Sequence, residues 1–312
     1  MRRLQISMSV FVLLTFARGN FLAQAPDVSA RTELEQLQEQ NGLTIGIFNY
    51  QGTALNLFKK RQFVFLKHAF DGDGVTGAVS RDGTEVAVSQ LVSKPTTVVV
   101  MHPDGSGLRE YGGIRANSQI CWSYNNSKLV LGTAGPKLLL LELKSGLVQQ
   151  LPAEAPSSEE LITSQCWSPD GKQIAYESSD GNVFLYDFEK RNSTRLTKGT
   201  GPTWSPDGNW ISYRDGDTYY AIHPYGERPK KLFHRTRTVS ALYWSPDSRF
   251  VAYVHQDFFA LDTEFYHLMV RRLEDGSEDW IADGEDASWA MNYQWVTKPQ
   301  LLDQIKSQVT AP

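Results

Sequence analysis

Apolar positions along this chain fall into short extended runs and not into helical stripes. A β-branched or aliphatic residue, a small residue and then usually a tyrosine recur as Ile174-Ala175-Tyr176, Ile211-Ser212-Tyr213 and Val251-Ala252-Tyr253, with Val86-Ala87-Val88 and Leu129-Val130-Leu131 as variants. Runs of this composition read as strands. Further extended stretches follow at Thr97 to Met101, Leu138 to Leu143, Val183 to Phe188, Tyr219 to His223 and Tyr266 to Arg271. Short ones come after them at Arg195-Leu196-Thr197 and Lys231-Leu232-Phe233. Nowhere in these repeats does an apolar period of 3.6 persist for the roughly ten residues a helix needs, so the repeats are expected to be all β.

A turn block precedes each of the first runs. It reads Trp167-Ser168-Pro169-Asp170-Gly171, Trp204-Ser205-Pro206-Asp207-Gly208 and, one residue changed, Trp244-Ser245-Pro246-Asp247-Ser248. Proline presets φ for the first corner, aspartate satisfies backbone donors two residues on, and glycine takes a left-handed conformation without strain. Degraded copies extend the series: Val79-Ser80-Arg81-Asp82-Gly83, Trp122-Ser123-Tyr124-Asn125-Asn126 and Trp289-Ala290-Met291-Asn292-Tyr293. From position 79 the steps are 43, 45, 37, 40 and 45 residues, a mean of 42. A four-stranded propeller blade uses about 40 to 50 residues, which fits one blade per copy.

These residues resemble the TolB-type β-propeller family, whose blades carry Trp-Ser-Pro-Asp-Gly-Lys followed by Ile-Ala-Tyr or Ile-Ala-Phe. The copy from Trp167 to Thr197 fits that pattern nearly without exception, and the resemblance covers roughly Val75 to Val296. It implies a propeller. Its functional implication is the bacterial envelope, where that family joins a complex linking outer membrane, cell wall and inner membrane. TolB itself carries a separate α/β domain before the propeller, and only residues 26–42 are available for one here.

The expected architecture is an all-β, six-bladed propeller of four-stranded antiparallel blades spanning residues 43–298 as one domain. The sixth block is followed by too few residues for four strands. The strand-like segments Leu43 to Tyr50 and Thr53 to Phe58 are therefore expected to close the ring with the C-terminal strands, removing free edges. Residues 299–312 form a tail in which Pro299, Leu301, Ile305 and Val309 suggest a short amphipathic helix packed on the outside.

Arg2 and Arg3 precede an apolar run from Ile6 to Phe16, and Ala23-Gln24-Ala25 supplies a small-x-small cleavage signal before Pro26. That is the anatomy of a signal peptide over residues 1–25, too short in its apolar part for a transmembrane anchor. Residues 26–42 are then a linker. Cleavage removes three arginines and shifts the formal charge from −4 to −7. An acidic chain gives no support to nucleic-acid binding. Cys121 and Cys166 occupy one register position in successive copies; neighbouring blades hold such positions too far apart for a bridge, so both are expected to act as small buried hydrophobes. Asn125-Asn126-Ser127 and Asn192-Ser193-Thr194 match the glycosylation triplet, a pattern that arises often by chance.

No catalytic constellation stands out. The chain has no Gly-x-Ser-x-Gly elbow, no His-Glu-x-x-His and no phosphate-binding glycine loop, and its six histidines show no metal-ligand spacing in sequence. His102-Pro103-Asp104-Gly105 and His223-Pro224-Tyr225-Gly226 repeat where the third strand turns into the fourth, which is explained by turn chemistry. The candidate surface comes from the repeat register. Four positions ahead of the tryptophan column stand Ser118, Thr163, Thr200, Ser240 and Glu285, expected to form a polar collar at one mouth of the central channel or merely to end a loop. Asp71 and Asp73 near the first copy, with Asp283, Glu285 and Asp286 near the last, would meet at one seam on ring closure. Such a seam suits a cation such as calcium or a basic peptide, or is a set of solvated turn charges. The reading is an exported, monomeric, non-enzymatic binding module for a protein or peptide partner, with no cofactor. The alternative is a small hydrolase or lactonase using a metal in the channel.

Overall fold

The computed structural model describes the backbone of residues 43–49, 52–59, 62–65, 75–90, 98–102, 106–114, 120–132, 138–152, 162–178, 180–237, 241–259, 263–284 and 292–295. The expected signal peptide, linker and C-terminal helix lie outside these residues. The first strands are β1 (Leu43–Asn49), β2 (Gly52–Lys59) and β3 (Gln62–Phe65). Five blades follow, each a sheet of four antiparallel strands consecutive in sequence. Blade 1 holds β4 (Val75–Val79), β5 (Val86–Gln90), β6 (Val98–Met101) and β7 (Arg109–Tyr111). Blade 2 holds β8 (Ile120–Trp122), β9 (Lys128–Gly132), β10 (Leu138–Glu142) and β11 (Val148–Leu151). Blade 3 holds β12 (Ile162–Trp167), β13 (Gln173–Ser178), β14 (Asn182–Asp187) and β15 (Asn192–Lys198). Blade 4 holds β16 (Thr200–Trp204), β17 (Ile211–Asp215), β18 (Thr218–Ile222) and β19 (Lys230–His234). Blade 5 holds β20 (Tyr243–Trp244), β21 (Phe250–Phe259), β22 (Thr263–Arg272) and β23 (Glu278–Gly284).

The protein is therefore an all-β antiparallel propeller. Against the six blades expected, five are shown. The remaining sheet runs β24-β1-β2-β3, with β24 (Asn292–Trp295) beside β1; its side chains lie outside the described residues. Outer strands proved longer than their apolar signal. β15 spans seven residues in a mostly exposed pattern, so only its Leu196 neighbourhood stood out in sequence.

Each turn block closes through one repeated circuit. In blade 3, Ser168 Oγ donates to Asp170 Oδ1 at 2.7 Å and accepts from the Gln173 amide at 2.9 Å, while Asp170 Oδ1 also accepts from the Lys172 amide at 3.0 Å. The Gly171 amide returns to the Ser168 carbonyl at 3.0 Å. The same bonds recur around Ser80, Ser123, Ser205 and Ser245. These serines are buried, and a buried hydroxyl without partners would be unfavourable, so the circuit explains why serine is invariant among these five copies. The fifth position has positive φ in all of them, including Asn126 at 56° and Ser248 at 59°.

Blades are joined by the tryptophans. Trp122 packs with Ala87, Val98 and Val100 of blade 1, and Trp204 with Ala175, Val183 and Leu185 of blade 3. The indole nitrogens are treated unequally. Trp122 Nε1 donates to the Ala78 carbonyl at 3.0 Å and Trp244 Nε1 to Ser212 Oγ at 3.0 Å, whereas Trp167 Nε1 and Trp204 Nε1 are buried with no partner. Ala175 occupies in blade 3 the register position that Ser212 holds in blade 4. Ala175→Ser is thus expected to give Trp204 Nε1 an acceptor and to stabilise the protein by about 1 kcal/mol, the net value of one hydrogen bond. Ala87→Ser should destabilise, because its neighbour Trp122 is already satisfied; thermal melting of the two variants checks the contrast.

Cys121 and Cys166 are free thiols facing the next blade. The Trp204 amide donates to Cys166 Sγ at 3.2 Å. Burial pushes the Cys121 thiol up to about 12 and raises that of Cys166 as well. Because the thiolate is the reactive form, both cysteines are expected to resist alkylation at pH 8 in the native protein and to react rapidly after denaturation. Mass spectrometry of iodoacetamide-treated protein checks this.

Candidate functional site

Antiparallel order puts the turn blocks and the turns between third and fourth strands on one face. Turns between second and third strands, and the connections from blade to blade, lie on the other. The two faces differ in regularity. Turn blocks are nearly constant in length, whereas the connections run from Tyr111 to Ile120, Leu151 to Ile162, Lys198 to Thr200, His234 to Tyr243 and Gly284 to Asn292.

Of the sequence-predicted site residues, Asp71, Asp73, Ser118, Ser240, Glu285 and Asp286 lie outside the described residues. Thr163 stands near the start of the inner strand β12, where the pairing with β13 shifts register between Ile162 and Ser164. Thr200 opens β16 at a similar shift, and its Oγ1 donates to the Arg214 carbonyl at a long 3.5 Å. Both positions are thus on the variable face, at bulges, which commonly redirect a side chain. Asp283 lies near the end of β23, the outermost strand of blade 5, in register with His267.

Two groups of residues at the channel escaped the sequence reading. On the regular face the third position of the turn block is proline in blades 3 to 5, but Arg81 and Tyr124 in blades 1 and 2. The Arg81 guanidinium lies 3.2 Å over the Tyr124 ring, and Tyr124 Oη donates at 3.2 Å to the Pro206 carbonyl two blades away. A bond between non-adjacent blades at their inner turns is a chord across that mouth and narrows it. Burial lowers the Arg81 pKa and raises that of Tyr124, the latter opposed by the charge of Arg81. Neighbouring turns are stitched further: Asn126 Oδ1 accepts from the Arg81 amide at 3.1 Å and Ser248 Oγ from the Asp207 amide at 3.3 Å. The signal was legible as a departure from proline in a position otherwise fixed. On the variable face, Glu177 Oε2 accepts from the Gly201 amide of the next blade at 2.8 Å, beside Thr200.

The carboxylates of the turn blocks are committed to structure. Burial works against ionisation of Asp170 and Asp207, but hydrogen bonds from Ser168 and the Lys172 amide, and from Ser205 and Asn209, outweigh it and lower both pKa values. His102 Nδ1 and His223 Nδ1 meet the Thr84 and Asn209 carbonyls at 3.0 and 2.8 Å, the same place in two blades. They brace turns. Among the described residues no three His, Cys, Asp or Glu side chains converge as metal ligands, and no helix is long and apolar enough to cross a membrane.

Solved structures with this arrangement identify the fold. TolB from Acinetobacter baumannii superposes with a TM-score of 0.60 at 15% identity, over 78% of this chain and 67% of that one. A candidate TolB from Agrobacterium tumefaciens gives 0.58 at 16% identity, over 78% of this chain and 89% of its own. The fold is that of a TolB-like β-propeller. Residues 115–203 also match the family described as the anaphase-promoting complex subunit 4 WD40 domain, which lies across blades 2 and 3 of this TolB-like repeat. No curated protein matches the chain. Identities this low speak for the fold, and function has to be argued from the faces of this propeller.

Proposed function

We propose that the protein is an exported, non-enzymatic, monomeric binding module for a protein or peptide partner in the bacterial envelope, and that the variable face is its recognition surface. The observation that carries the proposal is the contrast between the faces. Repeated turns of one length consume their own polar groups on the regular face, while five connections whose spans range from one residue to ten emerge on the other. Binding residues concentrate on loops of varied length held by a rigid scaffold. The Arg81–Tyr124–Pro206 chord supports approach from the variable side.

A six-bladed ring closed by both chain ends belongs to the same proposal. Antiparallel pairing of β24 with β1, from Leu43 opposite Trp295 to Gly46 opposite Asn292, supports it, as does the approach of β24 to both β4 and β20. Export rests on the signal-like residues 1–25, and the envelope on the likeness to TolB.

The test replaces residues 153–161, the longest connection, by a short glycine-serine link. Partner capture from envelope extracts should be lost while the melting temperature holds. Gly171→Val on the regular face should do the reverse: its left-handed φ of 71° strains valine with nothing within 4 Å to clash, lowering stability by about 1 to 3 kcal/mol with binding intact. Unchanged capture by the loop variant would sink the assignment of faces.

A further inference from the structure

Charge is divided unevenly over the outer wall of this propeller. Residues 190–206 hold four of the chain's basic residues and residues 228–246 hold five, together nine of its 31, and neither stretch holds any of its 35 acidic ones. The fold places both on the outside of neighbouring blades, since they contain β15 and β19, the outermost strands of blades 3 and 4. In blades 1, 2 and 5 the outer strands differ: β7 has Arg109 beside Glu110, β11 has no charge, and β23 includes Glu278, Asp279 and Asp283. Lysine on an edge strand commonly prevents edge-to-edge pairing, but β15 and β19 already carry a register shift each, which serves the same end. Charge of one sign on two adjacent strands, in a chain of net charge −4, concentrates a positive field there and attracts an anionic partner.

The second observation is apolar. Among the described residues every exposed large hydrophobic side chain, Leu108, Leu147, Val148 and Tyr225, stands in or beside a turn between third and fourth strands, so all four edge the regular face. Singly scattered exposed apolar residues are ordinary; these share one place in three blades. Two of the tips flank the basic wall. Tyr225 is 91% exposed three residues before Arg228 on blade 4, and Leu147 is 62% exposed on blade 2, the neighbour of blade 3 with its Lys190-Arg191 turn. The Tyr225 tip is braced: Trp210 stacks on His223 with ring centres 3.9 Å apart, and the Gly226 amide returns to the His223 carbonyl at 2.9 Å. At the tips of blades 3 and 4, Asp187 is taken up by the Glu189 and Lys190 amides. That leaves Glu189 and Glu227 exposed against six exposed cations, Lys190, Arg191, Arg195, Arg228, Lys230 and Lys231. Isolated apolar side chains on separate turns, beside lysine and arginine, suit a bilayer. A protein partner would need a pocket for each, whereas lipid accepts them anywhere on its surface, tyrosine at headgroup level, and its phosphates meet the cations.

We propose that the corner where the regular face meets the outer wall of blades 3 and 4 is a peripheral docking surface for an anionic phospholipid bilayer, independent of the partner surface on the opposite face. Its charged and apolar signals act together, each weak alone. The experiment sediments the mature chain, free of the apolar run at 6–16, with vesicles of phosphatidylcholine containing about one-third phosphatidylglycerol, and with vesicles of phosphatidylcholine alone. Binding is expected to the first and not to the second, and to weaken as salt rises, because exposed charges are screened within about 10 Å at 0.1 M. Lys230→Gln with Lys231→Gln should lower affinity about tenfold and flatten the salt dependence. Tyr225→Ser with Leu147→Ser should also lower it about tenfold but leave the salt dependence as it was. Both double variants change exposed side chains only, so their melting should match the parent. Replacing residues 153–161 should leave vesicle binding at the parental level, which separates this surface from the partner surface; loss in that variant overturns the placement. So do absence of binding to the anionic vesicles, equal binding to phosphatidylcholine alone, or parental binding in either double variant. Binding to soluble polyglutamate without binding to vesicles overturns it in favour of an acidic protein.

Discussion

Gly199→Ala is expected to be among the most destabilising single changes in this protein, by about 3 to 5 kcal/mol. Gly199 is the single residue between β15 of blade 3 and β16 of blade 4. Its φ is +145°, and a Cβ there would meet the Tyr213 ring and stand 2.8 Å from the Arg214 carbonyl oxygen. The Gly199 amide donates to the Gly181 carbonyl at 2.8 Å, so the segment has little freedom to shift. Strained backbone costs about 1 to 3 kcal/mol and overpacking a similar amount; here both act together. Chemical denaturation of the purified variant measures the loss. Stability within 1 kcal/mol of the parent would show that the crossing can move.

Glu278→Gln should cost about 2 to 4 kcal/mol, through a network joining blades 4 and 5. Glu278 Oε1 accepts from Arg271 at 2.6 Å and from Tyr253 Oη at 2.8 Å, and Oε2 accepts from Arg235 at 2.7 Å. Arg271 also lies over the Phe233 ring at 4.8 Å. With the carboxylate gone, two guanidinium groups at most 29% exposed keep their charge and lose their counter-ion. Removing one partner of a largely buried pair is the expensive direction, discounted here for residual solvent. Burial, followed by the Glu278 charge, raises the Tyr253 pKa well above its usual value. A phenol harder to ionise folded than unfolded stabilises fully below about pH 10 and loses that contribution as pH rises through its folded pKa. Urea midpoints from pH 8 to 11 should therefore fall on the alkaline side, less steeply in Tyr253→Phe.

The turns and second strands were legible because their chemistry is local. Serine, proline, aspartate and glycine each answer a backbone demand within five residues, and the circuit around Ser168 is visible in its sequence. The bonds between blades were not. Whether an indole finds an acceptor depends on Ala175 or Ser212 one blade back, a relation that no short window contains. Arg81 and Tyr124 were readable and overlooked, since they interrupt a proline column and a departure from repetition carries more information than the repeat.

Five blades composed of strands consecutive in sequence also set the order of events as the chain is made. Each of those sheets needs only its own stretch of roughly 40 residues, short separations that favour rapid assembly as the polypeptide emerges. The sheet that joins β24 to β1 is different, since Leu43 must wait for Trp295. Early blades will stand for a time beside an unpaired β1–β3 edge, and synthesis rate and chaperone access in that interval should govern yield more than the stability of the finished protein.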